Sequence, residues 1–597
     1  MWLLWGEWLK GSVRKKPAND SKILISQLHA NQKHKMANGQ TKSYFHQPGI
    51  KPFIGLTMHK LLEDRVKEHP DREMHVFVTD NETLTFAEYK TKVVKLAAGL
   101  LHYGLCRGDC VAIVGANHME WPLVFGATRA LGIVTVCLQY GHPIESLKLV
   151  LVKTSAKLLI LARSPETLYA QACKIIPELN SSTPGELKST NIPTLRMVVG
   201  VGANHQSGTL NFEDIAISGY DSEVSKASKH VTIDDTSHIY MTSGTTGMPK
   251  LSYTTQFKAL NETNFKCDDF NHNEVNRIAC LCPVGYIAGY RMSQVAPLVL
   301  GATSVYPFPT YSFEVFLQAA QDKKCTNVLF LRNALFELAY SPLTKKYDLT
   351  SLKSGMIGGS PIPPEVICHV KKTYNMNVVI TYGSTETAMI SMLRHKNLIE
   401  TASTVGQPLP YVEVQIVDRD EYAVKIGERG EVWVRNPVSF CGYYGDSETT
   451  KQVKNKHGWI KTGDIGKLDK DGYITIIGRV KDTIFSNNLN VYPTEVESVI
   501  FKHPAVKQVQ VIGVPNKLTG EDVCACIRLK SVVNSYKEDL EKFCLDKIPI
   551  FAKPKHILVF EDEFPCGVTG KIARGCLRQI NKSQKKDVFH LKRDYLL

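Results

Sequence analysis

The sequence lacks any run of about 18 uncharged apolar residues, the length that a membrane-spanning helix requires. The longest candidate, from Trp121 to Leu138, is interrupted by Arg129. We therefore expect no transmembrane span, while peripheral contact with a membrane surface stays open. The 597 residues are 43% hydrophobic and 22% charged, as in ordinary globular proteins. A chain of this length exceeds what one hydrophobic core can organise, so we expect at least two domains.

Metal-ligand and nucleic-acid patterns are also missing. The 15 cysteines are scattered, and the pairs Cys280–Cys282 and Cys524–Cys526 each enclose a single residue. Zinc sites need two to four residues between cysteines, so free thiols in a reducing compartment are favoured. No basic block is interleaved with aromatic residues, and we expect no nucleic acid partner. The net charge of +14 suits a nucleotide, an acyl-CoA or a membrane surface.

The N-terminus combines regularly spaced tryptophans with basic residues, namely Trp2, Trp5, Trp8, Lys10, Arg14, Lys15 and Lys16. An amphipathic, basic start of this kind is typical of a mitochondrial targeting leader. The segment contains a single arginine, and Met36 offers a second start. We assign residues 1–42 to a leader or a disordered N-terminus and favour the mitochondrial matrix over the cytoplasm. Whether the first 35 residues are a cleaved leader stays open.

From Gly55 onward, helix-like segments alternate with short apolar runs. Helical patterns at Met58–Glu68 and Phe86–Tyr103 precede a strand pattern at Cys110–Gly115. Such alternation predicts an α/β fold with parallel or mixed sheets. From Val412 the sequence pattern changes to short stretches of alternating apolar and polar residues, separated by Gly and Asp turns. This pattern predicts a β-rich subdomain. We see no internal repeat.

A smaller unit begins beyond Arg479, with a helix predicted from Pro493 to His503 and a strand at Val509–Val514. We therefore divide the chain into a large N-terminal domain at 43–480 and a small α+β C-terminal domain at 481–597, joined by a hinge.

One glycine-rich loop follows the apolar dipeptide Ile239-Tyr240. Its residues are Thr242, Ser243, Gly244, Thr245, Thr246, Gly247, Met248, Pro249 and Lys250. Backbone amides in such a turn can point together at phosphate oxygens, with hydroxyls and a lysine as further donors. A P-loop requires Gly-Lys followed by Ser or Thr. Here Pro249 precedes the lysine and Leu251 follows it, so a P-loop NTPase is excluded. Alone, the loop favours nucleotide binding over a turn without a ligand.

Further motifs follow in order. They are Gly358-Gly-Ser360, Tyr382-Gly-Ser-Thr-Glu386, Gly458-Trp-Ile-Lys-Thr-Gly-Asp464, Gly478-Arg-Val-Lys-Asp482 and Val568-Thr-Gly-Lys-Ile-Ala-Arg574. Together with the loop, they resemble the adenylate-forming superfamily of acyl- and aryl-CoA synthetases, adenylation domains and luciferases. The resemblance covers roughly Ser43 to the C-terminus.

A narrower resemblance is carried by Ser43-Tyr-Phe-His, Gly55-Leu-Thr57, Gly104-Leu-Cys-Arg-Gly-Asp109 and Glu521-Asp-Val-Cys-Ala-Cys-Ile-Arg-Leu-Lys530. These segments are similar to acyl-CoA synthetase family member 2, the mitochondrial medium-chain group.

The resemblance implies a ligase of fatty acid metabolism with two steps. A carboxylic acid would attack the α-phosphate of ATP to form an acyl-adenylate and pyrophosphate, and the thiol of coenzyme A would then displace AMP. Mg²⁺ would accompany ATP. Because two anions meet in the first step, the site needs positive charge and oriented donors.

The resemblance also assigns roles to residues. The loop Thr242–Lys250 would hold the β- and γ-phosphates, and Thr385 the α-phosphate. Glu386 would hold Mg²⁺, a hard ion that prefers carboxylate oxygens. The adenine would lie against Tyr382 and the backbone of Gly358, Gly359 and Ser360, where the absence of Cβ on the glycines permits a close approach. Asp464, assisted by Arg479, would accept both ribose hydroxyls.

Lys571 carries the principal catalytic prediction. A lysine on this C-terminal loop would contact the carboxylate and the α-phosphate and offset charge that develops in the transition state. Lys481 stands at the family's hinge position, where rotation would let the small domain serve adenylation first and thioester formation second.

Three segments depart from the family pattern. Gly285 and Tyr286 occupy the places of an aromatic residue and a histidine beside the acyl and CoA passages. Asn487 and Asn488 follow the hinge where glycines are usual, and asparagine tolerates positive φ best among the other residues. Phe485 occupies the place of a lysine that luciferases use, which argues against light emission. Leu251 replaces the glycine that usually follows the loop lysine, indicating an altered loop exit or reduced activity.

Two alternatives to the CoA ligase stay open, and the departures favour the second of them. One is an adenylating enzyme that delivers its acyl group to another acceptor. The other is a nucleotide- or acyl-binding relative with weak or no ligase activity. The sequence does not determine the acyl chain length or the oligomeric state.

Overall fold

A computed structural model describes residues 41–49, 51–138, 141, 144–163, 168–202, 206–242, 249–267, 275–359, 362–393, 404–486, 489–516, 520–530, 536–544, 547–565 and 574–583. Across these ranges, no helix has the length and apolar character that a membrane crossing would need. The cysteines whose side chains are described are free thiols, and both closely spaced pairs are buried on or beside strands.

The strands of the described residues follow one another in four groups. The first group is β1 Tyr44–His46, β2 Glu73–Phe77, β3 Glu82–Thr85, β4 Cys110–Val114, β5 Val134–Cys137, β6 Leu158–Leu161, β7 Met197–Gly200, β8 Leu210–Asn211 and β9 Thr236–Thr242. The second is β10 Lys250–Thr255, β11 Arg277–Cys280, β12 Thr303–Tyr306, β13 Asn327–Leu329, β14 Ser354–Gly358, β15 Asn377–Ser384 and β16 Ala388–Leu393. The third is β17 Gln407–Pro408, β18 Glu413–Val417, β19 Gly430–Arg435, β20 Gly442–Tyr443, β21 Ile460–Leu468 and β22 Ile474–Arg479. The last is β23 Ile484–Ser486, β24 Leu489–Val491, β25 Val506–Asn516, β26 Gly520–Leu529 and β27 His556–Val559.

Helices alternate with these strands. They are α1 Met58–Glu68, α2 Phe86–His102, α3 Glu120–Leu131, α4 Ile144–Lys153, α5 Leu168–Ile175, α6 Asp221–Ser228, α7 Gln256–Cys267, α8 Ile287–Tyr290, α9 Ala296–Leu300, α10 Phe313–Asp322, α11 Arg332–Tyr340, α12 Pro364–Tyr374, α13 Ser447–Val453, α14 Pro493–Ile500, α15 Tyr536–Cys544 and α16 Arg574–Ser583. A π-helical turn, Arg291–Val295, joins α8 to α9. Shorter 3-10 turns lie at Pro177–Ser181, Pro342–Lys346, Val480–Asp482 and Ile550–Ala552.

Two large sheets form the N-terminal part. The first has the order β20-β10-β9-β5-β4-β6-β7-β8, and the second β17-β16-β15-β14-β13-β11-β12-β2-β3. Both are parallel in the middle, for example where β4 pairs with β5 and β6, and antiparallel toward an edge. Strands buried on both faces read as continuous apolar runs. The fully buried run Cys110–Val114 is one of them.

The predicted β-rich subdomain is an antiparallel sheet with the order β1-β18-β19-β21-β22. Beyond β22, a smaller sheet contains β24, β23, β26 and β25, and β27 pairs parallel with β26. Its own buried cluster includes Ile484, Val511 and Ile527.

The predicted fold class is therefore confirmed. The helix predicted at Met58–Glu68 has those limits, and the one predicted at Phe86–Tyr103 ends one residue earlier. Thr85 caps that helix through a reciprocal hydrogen-bond pair with Glu88, which satisfies backbone donors at the helix start. The C-terminal helix predicted from Pro493 ends at Ile500. The domain limits at 42/43 and 480/481 stay predictions.

Candidate active site

The residues singled out by the motifs lie on three sheets that meet in one region. The hairpin β9–β10 contributes Thr242 and Lys250 from the first large sheet. The adjacent strands β14 and β15 contribute the glycine pair and Tyr382 from the second. The antiparallel pair β21–β22 contributes Asp464 and Arg479. Direct side-chain contacts join the second and third groups.

The loop of the first motif connects β9 to β10. Thr242 pairs with Lys250 across the antiparallel ladder, and the Thr242 hydroxyl donates to the Lys250 carbonyl oxygen at 3.4 Å. Pro249 is buried and immediately precedes β10. The loop residues Ser243, Gly244, Thr245, Thr246, Gly247 and Met248 lie outside the described residues. The two strands therefore hold both ends of the predicted phosphate loop at a fixed register.

Leu251, which has no explanation in the sequence, is a core residue. It pairs with Met241 on β9 and is 3% exposed, within a cluster that also contains Val136 and Ile239. Its φ is not in the left-handed region that would favour glycine. The leucine therefore adds apolar burial to a regular strand, and no altered backbone is needed at the exit of the loop.

The predicted adenine-binding glycines lie at the end of β14. A Cβ on Gly358 would meet the Thr381 hydroxyl and carbonyl oxygens at 2.4 and 2.8 Å. Gly359 follows with a φ of +81° and open space around its missing side chain. Residue 358 therefore needs glycine for strand packing and residue 359 for its backbone conformation. Ser360 lies outside the described residues.

Tyr382, Asp464 and Arg479 form one hydrogen-bonded group. The Tyr382 hydroxyl donates to Asp464 Oδ2 at 2.7 Å, and Arg479 Nε lies 2.7 Å from Asp464 Oδ1. Asp464 and Arg479 are cross-strand partners, and the Asp464 carboxyl is buried. Burial and the Asp464 charge raise the pKa of Tyr382 well above its usual value, which keeps its hydroxyl a donor. Each oxygen of an ionised carboxylate has further acceptor capacity, so the group can still accept ribose hydroxyls.

Glu386 and Thr385 occupy the tight turn between β15 and β16. The Ser384 hydroxyl accepts from the backbone N–H of Glu386 and of Thr387, and the Thr387 hydroxyl accepts from the N–H of Ser384. Both predicted ligands are partly exposed. The turn is thus held by the hydroxyls of Ser384 and Thr387, and the side chains of Thr385 and Glu386 are not used to close it.

The Glu386 carboxylate suits a magnesium ion that accompanies a nucleotide. Its Oε1 accepts a hydrogen bond from the Tyr443 hydroxyl at 2.9 Å. Among the described residues, none donates a hydrogen bond to its Oε2. No group of three or more His, Cys, Asp or Glu side chains able to hold a metal occurs among the residues with a described structure. Mg²⁺ commonly binds through one or two carboxylates together with substrate phosphates, and this donor set fits that mode.

The segment 436–444, which the motifs did not single out, joins two parts of the site. The Phe440 N–H donates to the Glu386 carbonyl oxygen at 2.9 Å, and the Tyr444 N–H donates to the Leu251 carbonyl oxygen at 2.7 Å. Tyr443 contacts both Glu386 and Lys250. In the sequence, this residue is visible only as part of a tyrosine pair after Gly442. That pattern does not distinguish a tyrosine of a functional site from a tyrosine of the hydrophobic core.

The departure at Gly285 has a structural counterpart. A Cβ on Gly285 would lie 3.0 Å from the Trp121 ring. Trp121 is fully buried on α3, and its indole N–H donates to the Ala116 carbonyl oxygen at 2.9 Å. The Trp121 ring occupies the space beside residue 285, so a larger side chain at this position would require the tryptophan to move.

Tyr286, in the place of the usual histidine, points its hydroxyl into the interior. That oxygen is buried and has no hydrogen-bond partner among the described residues. Burial raises the pKa of Tyr286 to about 12. The side chain is therefore a neutral hydroxyl, whereas a histidine would titrate near neutral pH.

A buried ion pair lies behind this segment. Arg291, in the π-helical turn, pairs through both terminal nitrogens with the two carboxylate oxygens of Glu262 on α7. The residues are 5% and 2% exposed. Glu262 Oε1 also accepts from the Met389 N–H at 3.2 Å, three residues beyond Glu386. Glu262 therefore ties α7, which follows the predicted phosphate loop, to the π-helical turn and to the strand that follows Glu386.

The predicted hinge lies in the 3-10 turn Val480–Asp482. Lys481 is exposed, and partial desolvation lowers its pKa below the usual value. Its buried neighbour Asp482 contacts Arg574 and Arg578 of α16, each at 3.3 Å. Lys571, Asn487 and Asn488 lie outside the described residues, so their predicted roles stay predictions.

The two large sheets, the β-rich subdomain and the small C-terminal unit form the architecture of adenylate-forming enzymes. A sequence profile of AMP-binding enzymes matches residues 62–444, and one for the C-terminal domain of AMP-binding enzymes matches residues 495–571. The chain belongs to the AMP-binding enzyme family.

The relatives agree with the narrower resemblance. The chain is 32% identical over 557 residues to the mitochondrial medium-chain acyl-CoA ligase ACSF2 of Danio rerio, covering 91% of each chain. Among solved structures, it resembles the anthranilate CoA ligase AuaEII with anthranoyl-AMP, with a TM-score of 0.77 and 22% identity over 89% of this chain and 98% of that one. It also resembles the amide bond synthetase McbA of Marinactinospora thermotolerans, with a TM-score of 0.74 and 23% identity over 88% and 99% of the two chains. At such identity the solved structures establish the fold alone.

Proposed function

We propose that this protein is an ATP-dependent fatty acid CoA ligase that acts on medium-chain acids. It first forms an acyl-adenylate and pyrophosphate, and it then transfers the acyl group from AMP to the thiol of coenzyme A. The observation that carries this proposal is the convergence of the nucleotide motifs. Tyr382, Asp464 and Arg479 contact one another although they come from separate motifs, and Glu386 is linked through Tyr443 to Lys250.

Each group has a defined task in this proposal. The Thr242–Lys250 loop binds the β- and γ-phosphates through backbone amides and the lysine, and the Thr385 hydroxyl binds the α-phosphate. Asp464 accepts the ribose hydroxyls, and Arg479 orients its carboxylate through the contact with Oδ1. The adenine lies against the Tyr382 ring and the backbone from Gly358 to Ser360. These interactions place the α-phosphate against the incoming carboxylate, which replaces an encounter of two anions by a held geometry.

Glu386 would hold the Mg²⁺ ion. When bound, the ion would screen the charge of the triphosphate. The protein would orient Glu386 Oε2 toward the ion in two ways. Ser384 and Thr387 fix the turn that carries Glu386, and Tyr443 holds Oε1 by a hydrogen bond.

Lys571 is proposed to offset the charge of the attacking carboxylate and the α-phosphate. Removing one preorganised donor of this kind usually costs roughly 10² to 10³ in rate. We propose that Lys481 is the pivot that exchanges the two positions of the small domain. Asp482, one residue away, is paired with two arginines of α16, so a rotation at residue 481 would carry that helix along.

The proposed preference for medium-chain acids and the proposed mitochondrial location rest on the similarity to the Danio rerio ligase, which extends over 91% of both chains. That relative is named both medium-chain and mitochondrial. The basic, tryptophan-bearing N-terminal sequence favours the same location. Tyr286 and Trp121 differ from the family pattern beside the acyl passage, so the preferred acid is to be measured directly.

The test is a pyrophosphate-exchange screen over short-, medium- and long-chain fatty acids and aromatic carboxylates, followed by a thioester assay with coenzyme A. We expect exchange with medium-chain acids and a CoA thioester as the product. The Lys571→Ala variant should lose exchange and retain ATP binding, whereas wild-type-like exchange in that variant would remove Lys571 from the mechanism. Exchange without thioester would indicate another acyl acceptor, and no exchange with any acid would indicate a binding protein.

A further inference from the structure

Tyr443 lies between two parts of the proposed ATP site. It belongs to the short strand β20, which pairs with β10 so that Tyr443 faces Ser252, two residues after Lys250. Its backbone N–H donates to the Thr450 hydroxyl at 2.8 Å. The residue is 6% exposed, so both its backbone and its ring are fixed.

The side chain of Tyr443 makes a different contact at each end. The hydroxyl donates to Glu386 Oε1 at 2.9 Å, a hydrogen bond to an ionised acceptor. Lys250 Nζ lies over the ring, 4.9 Å from the ring centroid, within the range of a cation–π contact. One side chain thus touches both the carboxylate proposed to hold the metal and the lysine proposed to hold phosphate.

These contacts constrain the two charged groups in complementary ways. A donor on Oε1 fixes the rotation of the Glu386 carboxylate and leaves Oε2 as the oxygen that can face a cation. The ring face attracts the ammonium without neutralising it, because the aromatic quadrupole carries no net charge. The lysine is therefore kept near Glu386 without forming an ion pair with it, and both charges remain usable by a metal-bound triphosphate.

We propose that Tyr443 is a positioning residue that orients Glu386 for the metal and Lys250 for the phosphates of ATP. This inference rests on the proposed function, since it deepens the description of the same site. It assigns the Tyr443 hydroxyl to the binding of the metal and the Tyr443 ring to the binding of the phosphates. The hydroxyl acts on the metal dependence of ATP binding, and the ring acts on phosphate binding whether or not the metal is present.

The neighbouring residue provides a matched control. Tyr444 is also a tyrosine on the same segment, and its ring packs edge-on against Tyr253 at 5.9 Å. Its hydroxyl lies beside the Cys110 thiol rather than at the site. A Tyr444→Phe variant removes one hydroxyl from the same stretch of chain without touching Glu386 or Lys250.

The experiment measures ATP affinity by titration calorimetry, with excess Mg²⁺ and again with EDTA, for the full-length chain. The variants are Tyr443→Phe, Tyr443→Leu, Glu386→Gln, the double variant Tyr443→Phe/Glu386→Gln, and the control. Tyr443→Phe should lose about tenfold or more in affinity with Mg²⁺, the effect of one hydrogen bond to a charged group, and little in EDTA. Tyr443→Leu should lose a further few-fold under both conditions, because the contact with Lys250 is also lost. The control should bind like the wild type.

The double variant distinguishes positioning from a general structural effect. If Tyr443 acts through Glu386, the double variant should lose no more Mg²⁺-dependent affinity than Glu386→Gln alone. Additive losses, or equal losses in Mg²⁺ and EDTA for Tyr443→Phe, would overturn the inference, as would a Tyr443→Phe variant indistinguishable from the control. Thermal unfolding without ligand should give equal midpoints for the two Phe variants.

The same measurements separate this inference from the proposed function. If the wild type binds MgATP in a Tyr443-dependent way but forms no thioester, the ligase proposal fails and the inference stands. If thioester forms and the Tyr443→Phe variant is unaffected, the inference fails and the ligase proposal stands. A wild type that does not bind ATP overturns both.

Discussion

Removal of the buried charge of Glu262 gives a sharp test of how the site is supported. Glu262→Gln keeps the shape of the side chain but leaves the Arg291 guanidinium buried without a carboxylate, since no other described acid pairs with it. Breaking one partner of a buried ion pair typically costs about 3 to 5 kcal/mol. Weakening of the bond from the Met389 N–H adds up to about 1 kcal/mol. We therefore expect the free energy of unfolding to fall by about 3 to 6 kcal/mol.

Urea denaturation followed by circular dichroism would measure this loss for Glu262→Gln, Arg291→Met and the double variant. The double variant should recover much of the stability, because it removes both charges and leaves a neutral amide beside an apolar methionine. A matched surface pair is available in Lys451 and Glu448, both largely exposed, where Glu448→Gln should cost under about 1 kcal/mol. If Glu262→Gln costs no more than Glu448→Gln, or if the two single losses add in the double variant, the buried pair does not support the site.

Three further predictions concern single positions. Asp464→Asn should weaken ATP binding about tenfold or more in calorimetry, because Arg479 loses its charged partner and the ribose loses one of its two carboxylate acceptors; unchanged affinity would contradict the ribose assignment. Leu251→Gly should restore the family residue without raising exchange activity and should lower the free energy of unfolding by about 2 to 5 kcal/mol, since a 3% exposed leucine is lost; a gain in activity would mean that the leucine does limit the loop. Tyr286 has a folded-state pKa of about 12 against a usual value of 10.0, so the folded state keeps a proton that the unfolded state releases. The contribution of the protonated Tyr286 to the free energy of unfolding is complete below pH 10 and is lost as the pH rises toward 12. The urea midpoint should therefore fall less steeply between pH 10 and 12 in Tyr286→Phe than in the wild type, and equal slopes would refute this.

Residues from separate short motifs lie together in the structure, and their roles toward a nucleotide stay predictions. Tyr382 and Asp464 lie 82 residues apart, yet each stands in a motif whose family role implies the same ligand, and the structure joins them by a hydrogen bond of 2.7 Å. The alternating pattern likewise predicted the parallel sheets, since buried strands and intervening helices differ in period. Ends of elements were less well predicted, as at Ile500, because the last turn of a helix depends on what it packs against.

The contacts that support the site could not be predicted in the same way. Tyr443 reaches Glu386 across 57 residues, and Glu262 reaches Arg291 across 29, with no periodicity that links either pair. Trp121 fills the space beside Gly285 from a helix that precedes it by more than 150 residues, a relation fixed by packing alone. Leu251 is the converse case. Compared with a family motif it is an anomaly, and within its strand it is an ordinary buried residue.

The π-helical turn from Arg291 to Val295 has a consequence for chain length at this point. A π turn accommodates one residue more than an α turn, so deleting one residue here would let the helix continue in α geometry. The part of the helix before the deletion would then be rotated by about 100° relative to the part after it. Arg291 would swing away from Glu262, and the Tyr286 hydroxyl would leave its interior position. The extra residue of the π turn therefore sets the rotation at which Arg291 meets Glu262.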